Sequence, residues 1–217
     1  MKILKSLEEA LYEVMVWLVF YPLTMWQVLT RPAAMMSYAD DELDDADVDR
    51  YSDKLSPPIF LAITLGLSHV LELAMGIHTE QPGVLSQDQN LIAFRMIVFS
   101  VFPLVLAVRL LRRKGVALDR KTLRPPFYAQ CFVAAPWALV AAAATLYASA
   151  GGASPRRTAV AIAVVTVAWI WYMALQANWF ARNLDISWAR GLWNAVVTFL
   201  QATVIIIALA FGISQFS

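Results

Sequence analysis

Charge is scarce in this 217-residue sequence: Asp, Glu, Lys and Arg together fill 15% of its positions. A soluble domain is about a quarter charged and about half apolar, whereas here the apolar share is 60%. A core of this size cannot hide that excess, because a chain of this length leaves much of its surface uncovered. The balance excludes a soluble enzyme and a disordered segment. Cysteine is nearly missing as well. Cys131 stands alone, so no internal bridge and no secreted disulfide scaffold can be built. Also missing are a Walker loop, a Rossmann glycine pattern, a nucleophile elbow, a potassium-filter segment and paired Cys or His metal ligands. No catalytic set, metal or cofactor is therefore expected, and a net charge of +1 gives no basis for nucleic-acid binding.

What is present is long apolar runs. A helix crossing the hydrocarbon core needs about 20 mostly apolar residues, and five segments have that length: 59–77, 91–111, 127–150, 159–177 and 192–213. Ser56-Pro57-Pro58 and Pro125-Pro126 precede the first and third, where proline suits a helix start. Pro103 and Pro136 lie inside the second and third and predict local kinks. Small residues at four-residue spacing, Ala134, Ala138 and Ala142, Ala159 and Ala163, Ala208 and Gly212, mark faces that permit close helix approach. The fold class that follows is all-α: a polytopic transmembrane helical bundle of five spans over residues 57–217.

Ahead of the bundle, Ile3, Leu7, Leu11, Val14 and Leu18 recur at helical spacing, with Lys5, Glu8, Glu9 and Glu13 on the other side. Residues 1–36 are read as an amphipathic interfacial helix that dips into the membrane, a sixth span being the alternative. Residues 37–56 are read as an acidic linker, with eight acids between Asp40 and Asp53. The Asp45-x-Asp47-x-Asp49 spacing superficially resembles a calcium loop. Positions six and twelve, however, are Arg50 and Ser56 instead of glycine and glutamate. The linker is a solvated acidic block, or docks weakly on the basic loop described next.

The cations decide orientation. With a cytoplasmic N-terminus, fourteen Lys and Arg fall inside and three, Arg95, Arg156 and Arg157, outside, as the positive-inside rule requires. The C-terminus then faces out, and a bacterial inner membrane is the expected location. The densest group is Arg112, Arg113, Lys114, Arg120, Lys121 and Arg124. It serves as a topology determinant or as a contact for anionic lipid headgroups.

Ionisable groups within spans are functional candidates by default. His69 and Glu72 share a face of the first span, and Arg95 lies in the second. Counted along antiparallel helices, Glu72 and Arg95 both sit roughly 6–8 Å below the outer boundary, so the depths predict a pair, either as a helix lock or as part of a substrate or proton site. In the fifth span Asn194, Thr198 and Gln201 recur at helical spacing and are expected to face inward. Gln130 and Gln176 lie toward the same end of the bundle. Such amides commonly bond between helices, and a polar cavity is the alternative.

The amphipathic and acidic N-terminus, Ser56-Pro57-Pro58 opening the first span, the five spans and the short external tail together resemble the Yip family of five-span membrane proteins and their bacterial relatives, some of them loosely labelled permeases. The resemblance is architectural and covers most of the chain. It implies membrane shaping, trafficking or assembly with other membrane proteins, and assigns no functional residue. The expected role is a non-enzymatic adaptor, membrane-organising or assembly subunit, whose partners are lipids and another membrane protein or a second copy. The alternative is a small permease or channel using His69, Glu72, Arg95, Asn194, Thr198 and Gln201.

Overall fold

The computed structural model describes residues 2–41, 54–76, 88–150 and 154–214. Among them the chain forms seven helices: α1 (Lys2–Thr30), α2 (Pro32–Asp41), α3 (Pro57–Ala74), α4 (Asp88–Lys114), α5 (Arg120–Ser149), α6 (Pro155–Leu184) and α7 (Trp188–Ser214). The five expected spans correspond to α3–α7. Most of these helices run a few residues longer than the apolar segments, and the reason is capping. α3 and α6 open on prolines, whose fixed φ suits a first turn that needs no N–H. α5 begins at Arg120, ahead of Pro125-Pro126, because Asp119 caps it. The Asp119 carboxylate accepts from the Lys121 and Thr122 amides, while the Thr122 hydroxyl accepts from the Asp119 N–H. At the other ends, Gly76 (φ +64°) closes α3 and Gly115 (φ +68°) closes α4, left-handed positions that favour glycine.

Those amide hydrogen bonds, with Thr122 contributing most, hold the Asp119 carboxyl below its ordinary 3.8. A depressed acid contributes stability that is present above its unfolded pKa and lost as pH falls through the folded value. The first turn of α5 is thus expected to fray below pH 3.8. Amide exchange at Lys121 and Thr122, corrected for its intrinsic pH dependence, should accelerate there, and should already be fast at neutral pH in Asp119→Ala.

α5 is the central helix, packed against α1, α2, α3, α4 and α6, while α7 closes the bundle against α4 and α6. Every residue from Ala129 to Pro136 is buried. A helix surrounded on most sides needs small side chains where its neighbours come close, and Ala129, Ala134, Ala135 and Ala138 fill that role around Phe132 and Val133. Of the three small-residue faces, the one on α5 is therefore internal. Ala159, Ala163 and Ala208 are exposed.

The N-terminal region differs from the expectation in two ways. First, residues 6–30 of α1 are long and apolar enough to cross a membrane, which is the sixth-span alternative, so among the described residues six helices meet that criterion. The described side chains from Ser6 to Met15 are all exposed. The helix meets the bundle only toward its C-terminal end, through buried Thr24, Met25 and Val28. There the Tyr21 and Thr64 hydroxyls lie 3.1 Å apart and the Tyr21 ring lies 5.3 Å from that of Phe60. Second, the expected boundary between residues 36 and 37 falls inside α2. This ten-residue helix docks on α5 because Met35, Met36 and Ala39 form one apolar face, all buried. The Tyr38 ring sits 6.5 Å from Phe132 and carries the Lys54 ammonium 3.9 Å above it. The acids from Glu42 to Asp53, and with them the calcium-like spacing and the docking of the linker on the basic loop, lie outside the described residues.

Candidate functional site

Three polar ties cross the bundle at different levels. The first joins α3 to α4 near the end remote from the 115–119 loop. Arg95 Nη1 donates to Glu72 Oε2 at 2.5 Å, and His69 Nδ1 stands 3.8 Å from the same oxygen. The Glu72 side chain is 9% exposed and that of Arg95 22%. The pair predicted from equal depth on antiparallel helices is therefore formed, with His69 one turn along α3. Neither His69 nitrogen has a hydrogen-bond partner among the described residues, although the side chain is buried. The same face of α3 carries Thr64 and Ser68, whose hydroxyls donate back to the Phe60 and Thr64 carbonyls.

The second tie lies within α5 and α6. Gln130 and Gln176 exchange reciprocal amide hydrogen bonds, Gln130 Nε2 to Gln176 Oε1 at 2.9 Å and Gln176 Nε2 to Gln130 Oε1 at 2.6 Å, both side chains fully buried. Truncating one partner leaves a buried amide unpaired, at about 1–3 kcal/mol. Gln130→Leu alone is expected to lower unfolding free energy by that amount. Gln130→Leu with Gln176→Leu should recover part of it, the coupling falling near 0.6–2 kcal/mol in a double-mutant cycle of denaturant unfolding.

The third tie brings in a residue that the sequence reading placed among the orienting cations. Arg109 Nε donates to Asn194 Oδ1 at 3.0 Å and Arg109 Nη1 to Gln201 Oε1 at 3.3 Å. Asn194 is held by its own Nδ2 on the Arg190 carbonyl, and Thr198 donates to the Asn194 carbonyl. Asn194 and Thr198 are buried as expected, but Gln201, expected to face inward, is exposed. The stripe therefore runs from the packed interior out to the side of the bundle. The signal for Arg109 was its place: it lies three residues inside the Arg112–Lys114 cluster, within the apolar run of α4, where a cation needs a partner.

The basic residues divide between separate surfaces. Lys114 donates to Asn183 Oδ1 at 3.0 Å, and Arg113 is exposed. Arg112 lines an open groove of about 700 Å³ between α4 and α7, together with Arg109, Gln201, Val108, Leu200 and Val204. Arg120, Lys121 and Arg124 line a different groove, about 840 Å³, between α4 and α5. Among the described residues, no cluster of three or more His, Cys, Asp or Glu side chains could hold a metal.

Compared with known proteins, the chain matches no family model, no curated protein and no solved structure. Its class rests on the fold itself. Several helices long and apolar enough to cross a bilayer, packed into one bundle and tied by buried polar groups, define a polytopic α-helical membrane protein.

Proposed function

We propose that this chain is a non-enzymatic assembly or adaptor subunit of a membrane, most simply a bacterial inner membrane, that docks a transmembrane helix of another membrane protein, or of a second copy, on its α4–α7 face. The observation that carries this reading is the exposed Arg109–Gln201 pair. Gln201 lies nine residues into the 192–213 apolar run, roughly 14 Å along the helix axis, a depth at which lipid offers no hydrogen bond to an amide. Leu200, Val204 and Ile205 around it are exposed and apolar. An apolar groove with a cationic, amide-lined centre suits a partner helix bearing a carboxylate or amide at the facing position. The remaining intramembrane polar groups support the same reading, because Glu72–Arg95 and Gln130–Gln176 each use their capacity in holding two helices together. In this reading the 115–119 loop and its flanking cations are cytoplasmic.

Photo-crosslinkers at Val197, Leu200 and Val204 in native membranes test it, with Ile162 and Val167 on α6 as controls. A discrete heavier protein adduct from α7, lost in Arg109→Leu/Gln201→Leu, is expected. An adduct at twice 24.2 kDa identifies the partner as a second copy. Lipid adducts alone, or equal adducts from α6, overturn the reading.

A second reading, a small permease, is favoured by one observation: His69 is buried beside Glu72 with both ring nitrogens unsatisfied. Liposomes containing the protein would then exchange solute or protons, and flux unchanged in Glu72→Gln and Arg95→Ala would remove this reading.

A further inference from the structure

Each side of α4 carries a groove, and the two differ in where their charge lies. On the α4–α5 side, Met96, Ile97, Val101 and Leu104 of α4 face Leu123 and Phe127 of α5, and the cations enter only from the first turns of α5, as Arg120, Lys121 and Arg124. We propose that this groove is a binding site for one anionic phospholipid, whose phosphate is held by Arg120, Lys121 and Arg124 and whose acyl chain lies along the apolar wall of α4.

The charge is unbalanced. Among the described residues none of these three cations makes an ion pair with a carboxylate. The nearest acid in sequence, Asp119, caps α5 through the Lys121 and Thr122 amides and its charge also attracts that of Lys121, so one acid faces three cations. Arg124 is oriented by the Tyr128 ring, 5.1 Å from its guanidinium carbon, and Tyr128 itself lines the groove. A planar guanidinium fixed against a ring is presented to a phosphate with less freedom to lose than a solvated one.

Position selects the kind of ligand. Arg120, Lys121 and Arg124 precede the apolar body of α5, so they lie at the level where a bilayer places its headgroups. Met96, Ile97, Val101 and Leu104 recur along α4 at the spacing of one helix face and extend the groove away from that level. A soluble anion would use the cations and leave this wall empty. A peptide would need backbone partners, which the wall does not offer. An amphiphile with an anionic head uses both parts. Basic residues next to a membrane each add a roughly equal increment of attraction for anionic lipid, so three acting on one phosphate distinguish phosphatidylglycerol from phosphatidylcholine. The groove is separate from the α4–α7 face, and its occupancy does not depend on what that face binds.

The full-length protein, purified in a neutral detergent and titrated with phosphatidylglycerol or with phosphatidylcholine of the same acyl chains, provides the test by native mass spectrometry. One phosphatidylglycerol per chain is expected to be retained, with phosphatidylcholine much weaker. Arg120→Gln/Lys121→Gln/Arg124→Gln should weaken phosphatidylglycerol on the order of 100-fold. Arg113→Gln/Lys114→Gln/Arg182→Gln, which removes the same charge elsewhere, should change it less than about threefold. Ser100→Phe fills the groove without touching a cation and should also expel the lipid, an arm that stands even if the triple variant misfolds. Equal losses from the two triple variants, equal retention of both lipids, full displacement by soluble glycerol phosphate, or undisturbed binding in Ser100→Phe would each overturn the site.

Discussion

Replacing Arg95 with methionine is expected to lower the unfolding free energy by about 3–5 kcal/mol, the usual consequence of removing one partner from a buried ion pair. Glu72 makes the size of the effect. Its side chain is 9% exposed, its Oε2 takes the Arg95 Nη1 hydrogen bond, and among the described residues the other cation-forming group near that oxygen is His69, 3.8 Å away. Deleting the guanidinium leaves a carboxylate with neither water nor a partner. The reverse deletion is milder, because Arg95, at 22% exposure, can turn its long side chain toward the interface. Glu72→Leu is thus expected to cost less than Arg95→Met, and Glu72→Leu/Arg95→Met to regain most of the loss, since two apolar groups need no partners. His69→Leu should stay within about 1 kcal/mol of the parent, because the imidazole gives up no hydrogen bond and an apolar side chain of similar volume replaces it. Reversible unfolding in mixed detergent measures all four. An Arg95→Met protein within about 1 kcal/mol of the parent would show that the pair does not hold α3 to α4.

This pair also shows how far the sequence could be read. Both charges lie in apolar runs joined by one connection, so depth arithmetic alone placed them opposite each other, and the side chains are long enough to absorb the error of that arithmetic. Gln130 and Gln176 were legible for the same reason: a buried amide in a span has few places to go, and both lie toward one end. Arg109 was not, because a cation three residues from a basic cluster is compositionally part of it. Only the direction of the side chain, toward Asn194 and Gln201 on α7, reveals its partners. The docking of α2 was hidden differently. Met35, Met36 and Ala39 are too few, and too close to the acidic block, for periodicity to emerge over a ten-residue helix. The extra span-like helix, α1, reads as amphipathic from its first turns, and only the burial of Thr24, Met25 and Val28 shows which end the bundle holds.

Gly191→Ala is expected to be strongly destabilising, because among the described glycines Gly191 is the one whose added Cβ meets neighbouring atoms within 4 Å. α7 passes so close to α6 here that a Cβ on Gly191 would overlap the Ala177 carbonyl oxygen and stand 3.1 Å from the Ala181 amide nitrogen. All the atoms it meets are backbone, so no rotamer change can relieve the contact and the two helices must separate. Ordinary overpacking costs about 1–3 kcal/mol, and a clash that moves a helix belongs at the upper end, about 3 kcal/mol. The offset is small: alanine's better helix propensity returns at most about 1 kcal/mol. Separation at this point also loosens Arg190 and Asn194 on the next turn, and with them the Arg109 tie. Two comparisons isolate the cause. Gly66 and Gly212 have nothing within 4 Å of an added Cβ, so Gly66→Ala and Gly212→Ala should be neutral or slightly stabilising. Ala177→Gly should fail to rescue Gly191→Ala, because it removes a methyl group and leaves the offending carbonyl in place. The sequence carries a partial signature of this close approach, because Ser187, Gly191 and Ala195 stand four apart, as do Ala177 and Ala181 on α6; that these two stretches face each other is a property of the pair of helices. Unfolding of the Gly191→Ala protein within about 0.5 kcal/mol of the parent would mean that α6 and α7 pack less closely than described.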